Sequence, residues 1–321
     1  MKSLSMKGIL HFAFIFLLLL PPIVSLDAQT PTDATLMTKG QICLAAIYSH
    51  DSWDHYWEGT LFRTNGNIGT LTRQSISPMA ILGITNNISV MAAAPWVKTE
   101  ASDGYIKGAS GFQDWGVWIK AKALDVKAGP GNFTTHATIG ALVPISNYLA
   151  DYGPYSLGLG CTDLSLTGIL QYKLNMGLYL RGQAGYHVRG NSSIERDYYY
   201  TTHSVYSEKV EMPDAITWGA TLGTWLFDYA LKIEVEYSGL NTQGGYDIRR
   251  QDSGFPSVNM QNTSIGGEIQ YYLPGITGFS VVASAKQIQT GRNVGKSTIY
   301  SGGLTYFFPL WKSGQTETIT N

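Results

Sequence analysis

The sequence predicts an all-β protein, an antiparallel transmembrane β-barrel of twelve strands with short periplasmic turns and long extracellular loops. Three observations carry that expectation. The chain opens on an export signal. The remainder is poor in charge, rich in glycine and tyrosine, and has no apolar run long enough for a spanning helix. Its strand-like segments are joined by connections that are alternately long and short.

The signal comes first along the chain. Lys2 and Lys7 precede the apolar stretch Ile9–Leu20, which falls within the roughly 7–15 residues of a signal h-region. That stretch ends at Pro21-Pro22, short of the roughly 20 residues a helical span requires. Ala28 is a small residue at a plausible cut, so residues 1–28 are expected to be a signal peptide. Charged residues make up 14% of the chain, against about 25% in ordinary soluble proteins. Gly (36) and Tyr (20) are abundant, and the two cysteines, Cys43 and Cys161, give no disulfide framework. A net charge of −1 argues against nucleic acid as a partner. Export, low charge and the lack of a spanning helix place the chain in the outer membrane of a Gram-negative bacterium, with lipid and lipopolysaccharide as its surroundings.

A bilayer offers no water to the backbone, so strands cross it only in a closed barrel. Each crossing takes about 9–11 residues that alternate lipid-facing apolar and lumen-facing polar side chains. After a short periplasmic segment, 29–38, the barrel is expected over 39–308, with strands near 40–49, 70–84, 87–98, 113–124, 133–143, 158–173, 176–188, 215–226, 229–238, 260–272, 278–287 and 298–308. The second and third alternate poorly, which leaves their register open. In 113–124, Trp115, Val117, Ile119, Ala121 and Ala123 oppose Asp114, Gly116, Trp118, Lys120 and Lys122. In 158–173, Leu164, Leu166, Leu170 and Tyr172 oppose Asp163, Ser165, Thr167, Gln171 and Lys173. The segment 215–226 sets Ile216, Trp218, Ala220 and Leu222 against Thr217, Gly219, Thr221 and Gly223. LKIEVEYS, Leu231–Ser238, alternates strictly, and the barrel explains it by lipid on one side and lumen on the other. In 260–272, Ile265, Ile269 and Tyr271 oppose Ser264, Glu268 and Gln270. The last segment ends in Tyr306-Phe307-Phe308, leaving 309–321 as a periplasmic tail.

Connections supply the stronger signal. Asn86-Asn87, the stretch around Val126–Gly131, Asn175, Phe227-Asp228 and Pro274–Thr277 are short and rich in turn formers. They alternate with the longer 50–69, 99–112, 144–157, 189–214, 239–259 and 288–297. A soluble sandwich would alternate along its strands equally well, but would not need this rhythm. Trp96, Tyr172, Tyr186, Tyr229, Tyr237, Tyr271, Tyr272, Tyr306, Phe307 and Phe308 gather near strand ends, as interfacial girdles require.

LGITNNISVMAAAPWV (Leu82–Val97) followed by GASGFQDWGVWIKAKAL (Gly108–Leu124) resembles the MetA-pathway of phenol degradation family of outer-membrane proteins, through Gly83, Thr85, Pro95, Trp96, Gly111, Phe112 and Asp114. Asn86 and Gln113 depart from that pattern, where an acidic residue and glycine are usual. The resemblance implies a transport barrel for aromatic or hydrophobic small molecules.

Chemistry outside a channel has thin support. His50 and Ser52 are two apart and would share one strand face, the spacing of a His-activated serine. An outer-membrane hydrolase is therefore the rival reading, and a structural or adhesion barrel acting through its loops is a third. His50, Asp54 and His55 lack a specific metal spacing, and His136, His187 and His203 are scattered. No cofactor or metal is expected, nor enzymatic activity. The lumen is more informative: Lys120, Lys122, Asp163, Arg181, Lys232, Glu234, Glu236 and Glu268 are expected to line it and to set its selectivity, with Gln171, Gln183 and Lys286 beside them. Ionisable groups at membrane depth persist where they face water or one another. The expected function is passive passage of small solutes.

Overall fold

The computed structural model describes residues 30–201, 203–249 and 254–310; the expected signal peptide and the tail from residue 311 lie outside the described residues. Twelve antiparallel strands form a closed barrel. They are β1 (Gln41–Trp53), β2 (Leu71–Thr85), β3 (Ile88–Ala93 and Trp96–Ala101), β4 (Ser110–Phe112 and Asp114–Ala128), β5 (Gly131–Pro144), β6 (Asp163–Leu174), β7 (Leu178–Arg189), β8 (Ala215–Leu226), β9 (Leu231–Thr242), β10 (Gln261–Tyr272), β11 (Phe279–Arg292) and β12 (Thr298–Pro309). Each pairs with its sequence neighbour, and β1 closes the barrel against β12 from Gln41↔Pro309 to Ser52↔Thr298.

The twelve segments expected from the sequence coincide with these strands, and the differences are at the ends. β6 starts at Asp163 rather than 158, so Cys161 precedes the strand; both cysteines are buried free thiols. β4 runs on to Ala128, which shrinks the connection near Val126–Gly131 to Gly129-Pro130. β11 runs to Arg292, so the last outer connection is the short Asn293–Ser297 rather than a long loop. β3 breaks at Ala94-Pro95, where proline has no N–H for the ladder. The partner strand bends with it, and Gln113 N–H donates to Pro95 O at 2.9 Å.

Poor alternation in β2 and β3 has a packing cause. Ile81 and Met91 face inward, yet both are apolar, because the inner wall there is covered by protein. They join Met37, Cys43, Tyr179, Trp225, Tyr272 and Phe307 in an apolar cluster inside the barrel near the short turns. Tyr272 and Phe307 are thus not girdle residues, and Tyr229 packs against the same cluster, whereas Trp96, Tyr186, Tyr237, Tyr271 and Tyr306 are exposed on the outside.

On β9, Lys232 and Glu234 are buried inside while Val235 is 53% exposed on the outer wall. Ile119, Ile139, Leu166, Leu180, Leu222 and Leu304 are exposed in the same way, forming the apolar band that a bilayer covers. Val235→Lys should therefore lower the stability of the lipid-embedded barrel by about 2–4 kcal/mol, the midplane cost of a lysine on a barrel's lipid face. Urea titration in lipid vesicles checks this, and an unchanged midpoint would place Val235 away from lipid.

Candidate functional site

The site is built where the N-terminal segment enters the lumen. Residues 30–38, part of the segment 29–38 expected as a periplasmic lead, run inside the barrel from the short-turn end. Gly83 makes the passage possible: a Cβ there would lie 2.1 Å from Thr38 O and 2.6 Å from Met37 O. Met37 N–H donates to Ser89 Oγ at 3.2 Å and Lys39 N–H to Asn86 Oδ1 at 3.0 Å, fixing the segment to β3 and to the β2–β3 turn.

Lys120 on β4 anchors the tip. Its ammonium donates to Thr30 O (2.5 Å), Asp33 O (3.0 Å), Thr35 O (3.2 Å) and the Asp33 carboxylate (2.7 Å). The side chain is fully buried, so these oxygens replace its water. Thr138 Oγ1 adds a bond to Pro31 O at 2.9 Å.

Opposite lies a second charged group. The Glu234 carboxylate on β9 receives Arg181 Nη1 at 2.8 Å and Nη2 at 3.3 Å, and the Tyr179 hydroxyl at 2.5 Å. Lys232 reaches Glu268 at 2.9 Å and stands 3.9 Å from Glu234. Acidic Asp33, Glu234 and Glu268 thus offset basic Lys120, Arg181 and Lys232. On the loop side of this constriction is a cavity of about 630 Å³, and on the turn side one of about 270 Å³; Asp33, Arg181, Lys232 and Glu234 line both. Trp118 borders the larger cavity, its indole lying over Gly140, where a Cβ would come within 2.3 Å of Cδ1.

Of the residues expected to line the lumen, Lys120, Arg181, Lys232, Glu234 and Glu268 meet at the constriction. Glu236 lies beyond it and pairs with Lys286 at 3.0 Å. Lys122 pairs with Asp125 at 2.8 Å, and both border the turn-side cavity. Asp163 stands apart, near the outer end, holding His187 Nδ1 at 2.9 Å and Arg189 Nε at 3.1 Å while His187 Nε2 contacts Thr217 Oγ1 at 3.2 Å. Two constriction residues escaped the sequence reading. Tyr179 shares its strand face with Arg181 and could have been found by that parity. Asp33 precedes all periodicity and had no local signal.

His50 and Ser52 do not enter this site. Cys43 is buried on the inner face of β1 and Tyr48 exposed on the outer, so the even positions His50 and Ser52 belong to the outer wall. Among the described residues no group of three or more His, Cys, Asp or Glu side chains is placed to hold a metal, so His50, Asp54 and His55 form no such set. Tyr200, in the loop after β7, packs its ring under Arg249 at 5.7 Å.

The outer loops carry their own ionic ties. Arg292 donates to Asp247 at 2.8 and 2.6 Å, and these bonds hold the Asp247 carboxyl below its ordinary value of 3.8. A carboxyl depressed in the folded state stabilises fully above its unfolded value and loses that contribution as pH falls through the folded one. Protection of the Ile248 amide, bonded to Asn293 beside this pair, should therefore fade only at pH values under 3.8. Hydrogen exchange checks it. Tyr148, on the loop after β5, has its hydroxyl pushed above the usual range by burial and by the Asp114 carboxylate it donates to.

No protein-family model matches the sequence, nor does any curated protein, so the MetA-pathway resemblance rests on the motif residues of 82–124 alone. Solved structures do match. The COG4313 outer membrane channel from Pseudomonas putida F1 superposes with a TM-score of 0.70 at 12% identity, covering 88% of this chain and 100% of that one. The NanC porin gives 0.46 at 8% identity, covering 81% of this chain and 98% of its own. The translocator domain of the autotransporter NalP from Neisseria meningitidis gives 0.44 at 10%, covering 85% and 90%. At these identities the first likeness shows the fold, a barrel of the outer-membrane kind.

Proposed function

We propose that the protein is an outer-membrane channel through which small solutes diffuse passively, gated by its own N-terminal segment. The observation that carries this is the pair of cavities, one on each side of a single charged belt, where Asp33 and Lys120 meet Arg181, Glu234 and Lys232. A purely structural barrel of this size has no need of a water-accessible space on both sides of one charged belt. The likeness to an outer membrane channel supports the reading at the level of fold.

In this reading residues 1–28 are removed on export, lipid and lipopolysaccharide cover the apolar band, and displacement of residues 30–38 widens the path. Lys120, Arg181, Lys232, Glu234, Glu236 and Glu268 then set selectivity by width and charge, without covalent chemistry. Lys122 and Asp163 act at the two ends. Preference for aromatic or hydrophobic solutes rests on the sequence resemblance. Proteoliposome swelling with neutral solutes of graded size tests the proposal. Swelling that falls off sharply with solute size is expected, and vesicles as tight as protein-free ones, for the wild type and for a variant lacking residues 30–38, would overturn it.

A further inference from the structure

The smaller, turn-side cavity is bordered by hydrogen-bonding groups that the protein leaves unused. Its volume is about 270 Å³, and Thr134 and His136 on β5, Gln171 on β6 and Arg181 on β7 line it. Thr134, Gln171 and Arg181 are successive register partners, so they form one row across the inner wall. His136 lies two residues along β5, on the same face as Thr134. Among the described residues, Thr134 Oγ1, His136 Nδ1 and Arg181 Nε are buried atoms that make no hydrogen bond. His136 is only 5% exposed and Arg181 6%. A buried polar group without a partner is costly, and a ligand that bonds to it recovers the cost. Three such groups around one cavity form the wall of a ligand site.

Arg181 decides which kind of ligand. Its Nη1 and Nη2 are spent on Glu234, which leaves Nε, a donor only, for a second acceptor. The Thr134 hydroxyl and His136 Nδ1 can each donate as well. Water also accepts, but the cavity is lined by the cations Lys122, Lys173, Arg181 and Lys232 against the carboxylates Asp33, Asp125 and Glu234. That majority favours an acceptor with a negative charge of its own, whose hydrogen bonds are then charge-assisted. The three carboxylates set the limit: a doubly charged ion would meet their repulsion on the same wall. A halide offers a single point to donors on two strands, whereas an oxyanion offers separate oxygens.

We propose that the turn-side cavity binds a small singly charged oxyanion, such as a short carboxylate, held by Arg181 Nε, Thr134 Oγ1 and His136 Nδ1. Arg181 then belongs to both this site and the charged belt, so a solute that crosses the belt meets an anion site at its inner side. As a step in solute passage the inference rests on the channel reading; as binding it does not.

NMR of the protein in lipid nanodiscs, with isotope-labelled histidine ring nitrogens, tests it by adding formate, sulfate or chloride at constant ionic strength. Expected is a saturable shift of the His136 Nδ1 signal with formate, while the nitrogens of His50, His55, His187 and His203 stay in place. Sulfate and chloride should bind at least about tenfold more weakly. Thr134→Val removes the hydroxyl with little change of shape and should weaken formate roughly ten- to a hundredfold, the scale of one hydrogen bond to a charged group. A bound anion also stabilises by mass action, so formate should raise the urea midpoint of the wild type and leave that of His136→Phe unchanged. Heat-modifiable gel mobility checks that each variant is folded, and the ranking of the three ions on the wild type decides the question even where a variant is not. An unmoved His136 signal, sulfate or chloride binding as tightly as formate, or a folded Thr134→Val protein that binds formate as the wild type does overturns the proposal. Saturable formate binding by a barrel that carries no current would sink the channel reading alone. A conducting barrel whose His136 signal ignores formate would sink this one alone.

Discussion

Lys120→Met is expected to raise the conductance of the protein several-fold. The ammonium is fully buried and holds the N-terminal segment through Asp33 and three backbone carbonyls. Removing one partner of a buried pair costs about 3–5 kcal/mol, because the other charge is left without compensation. Here the strand ladder has no need to bear that cost. Asp33 lies on a segment that joins β1 at the short-turn mouth, so it can regain water by swinging out of the lumen. The barrel should therefore keep its gel mobility and strand content while the lumen widens. Two further variants separate this from general damage. Lys120→Met combined with Asp33→Leu removes both charges and should return the conductance toward wild type, since paired residues couple. Gly83→Leu touches no charge but puts a side chain where Thr38 O lies, and should open the path by steric expulsion. Planar-bilayer recordings of the four proteins check the set, and a Lys120→Met barrel that conducts as the wild type does would show that the segment is no gate.

Glu234→Gln should act on charge and stability together. Three acidic and three basic side chains face one another at the constriction. Gln keeps the shape and can still accept from Tyr179, but leaves one positive charge in excess between Arg181 and Lys232. The zero-current potential in a KCl gradient should move toward that of chloride. Unfolding in urea should be eased by about 3–5 kcal/mol, the scale for breaking a buried pair. Arg181→Met added to Glu234→Gln should restore neutrality and recover part of both losses, since an apolar replacement of a whole pair is often tolerated. Unchanged selectivity in Glu234→Gln would move the narrowest point of the path away from β9.

Much of this architecture was legible before any coordinates, for a definite reason. A lipid-facing strand has to alternate, and LKIEVEYS does so because Val235 meets lipid while Lys232 and Glu234 meet partners along the inner wall, Glu268 on β10 and Arg181 on β7. Periodicity failed where the inner face was covered by protein instead of water. Ile81 and Met91 are apolar on both counts of the pattern because Met37 and the aromatic rings of Tyr179, Trp225, Tyr272 and Phe307 pack on them. Closeness to strand ends suggests a girdle position for the inward aromatics Tyr272 and Phe307, although Tyr272 shares a face with Glu268 and Gln270. Strand parity was the better guide there. The constriction was half legible: parity finds Lys120, Arg181, Lys232, Glu234 and Glu268, but nothing local tells which charges meet. Asp33 was beyond reach, since its role comes from a segment folding back through the barrel against Gly83, a long-range contact with no periodic trace.

Whether the wild-type lumen carries current is the most direct test of a channel gated by residues 30–38. Refolded mature protein in a planar bilayer should give discrete steps that rise under applied voltage, with weak ion selectivity from the balanced constriction. A folded, inserted barrel that stays silent, and remains silent when residues 30–38 are removed, would contradict a channel of this design.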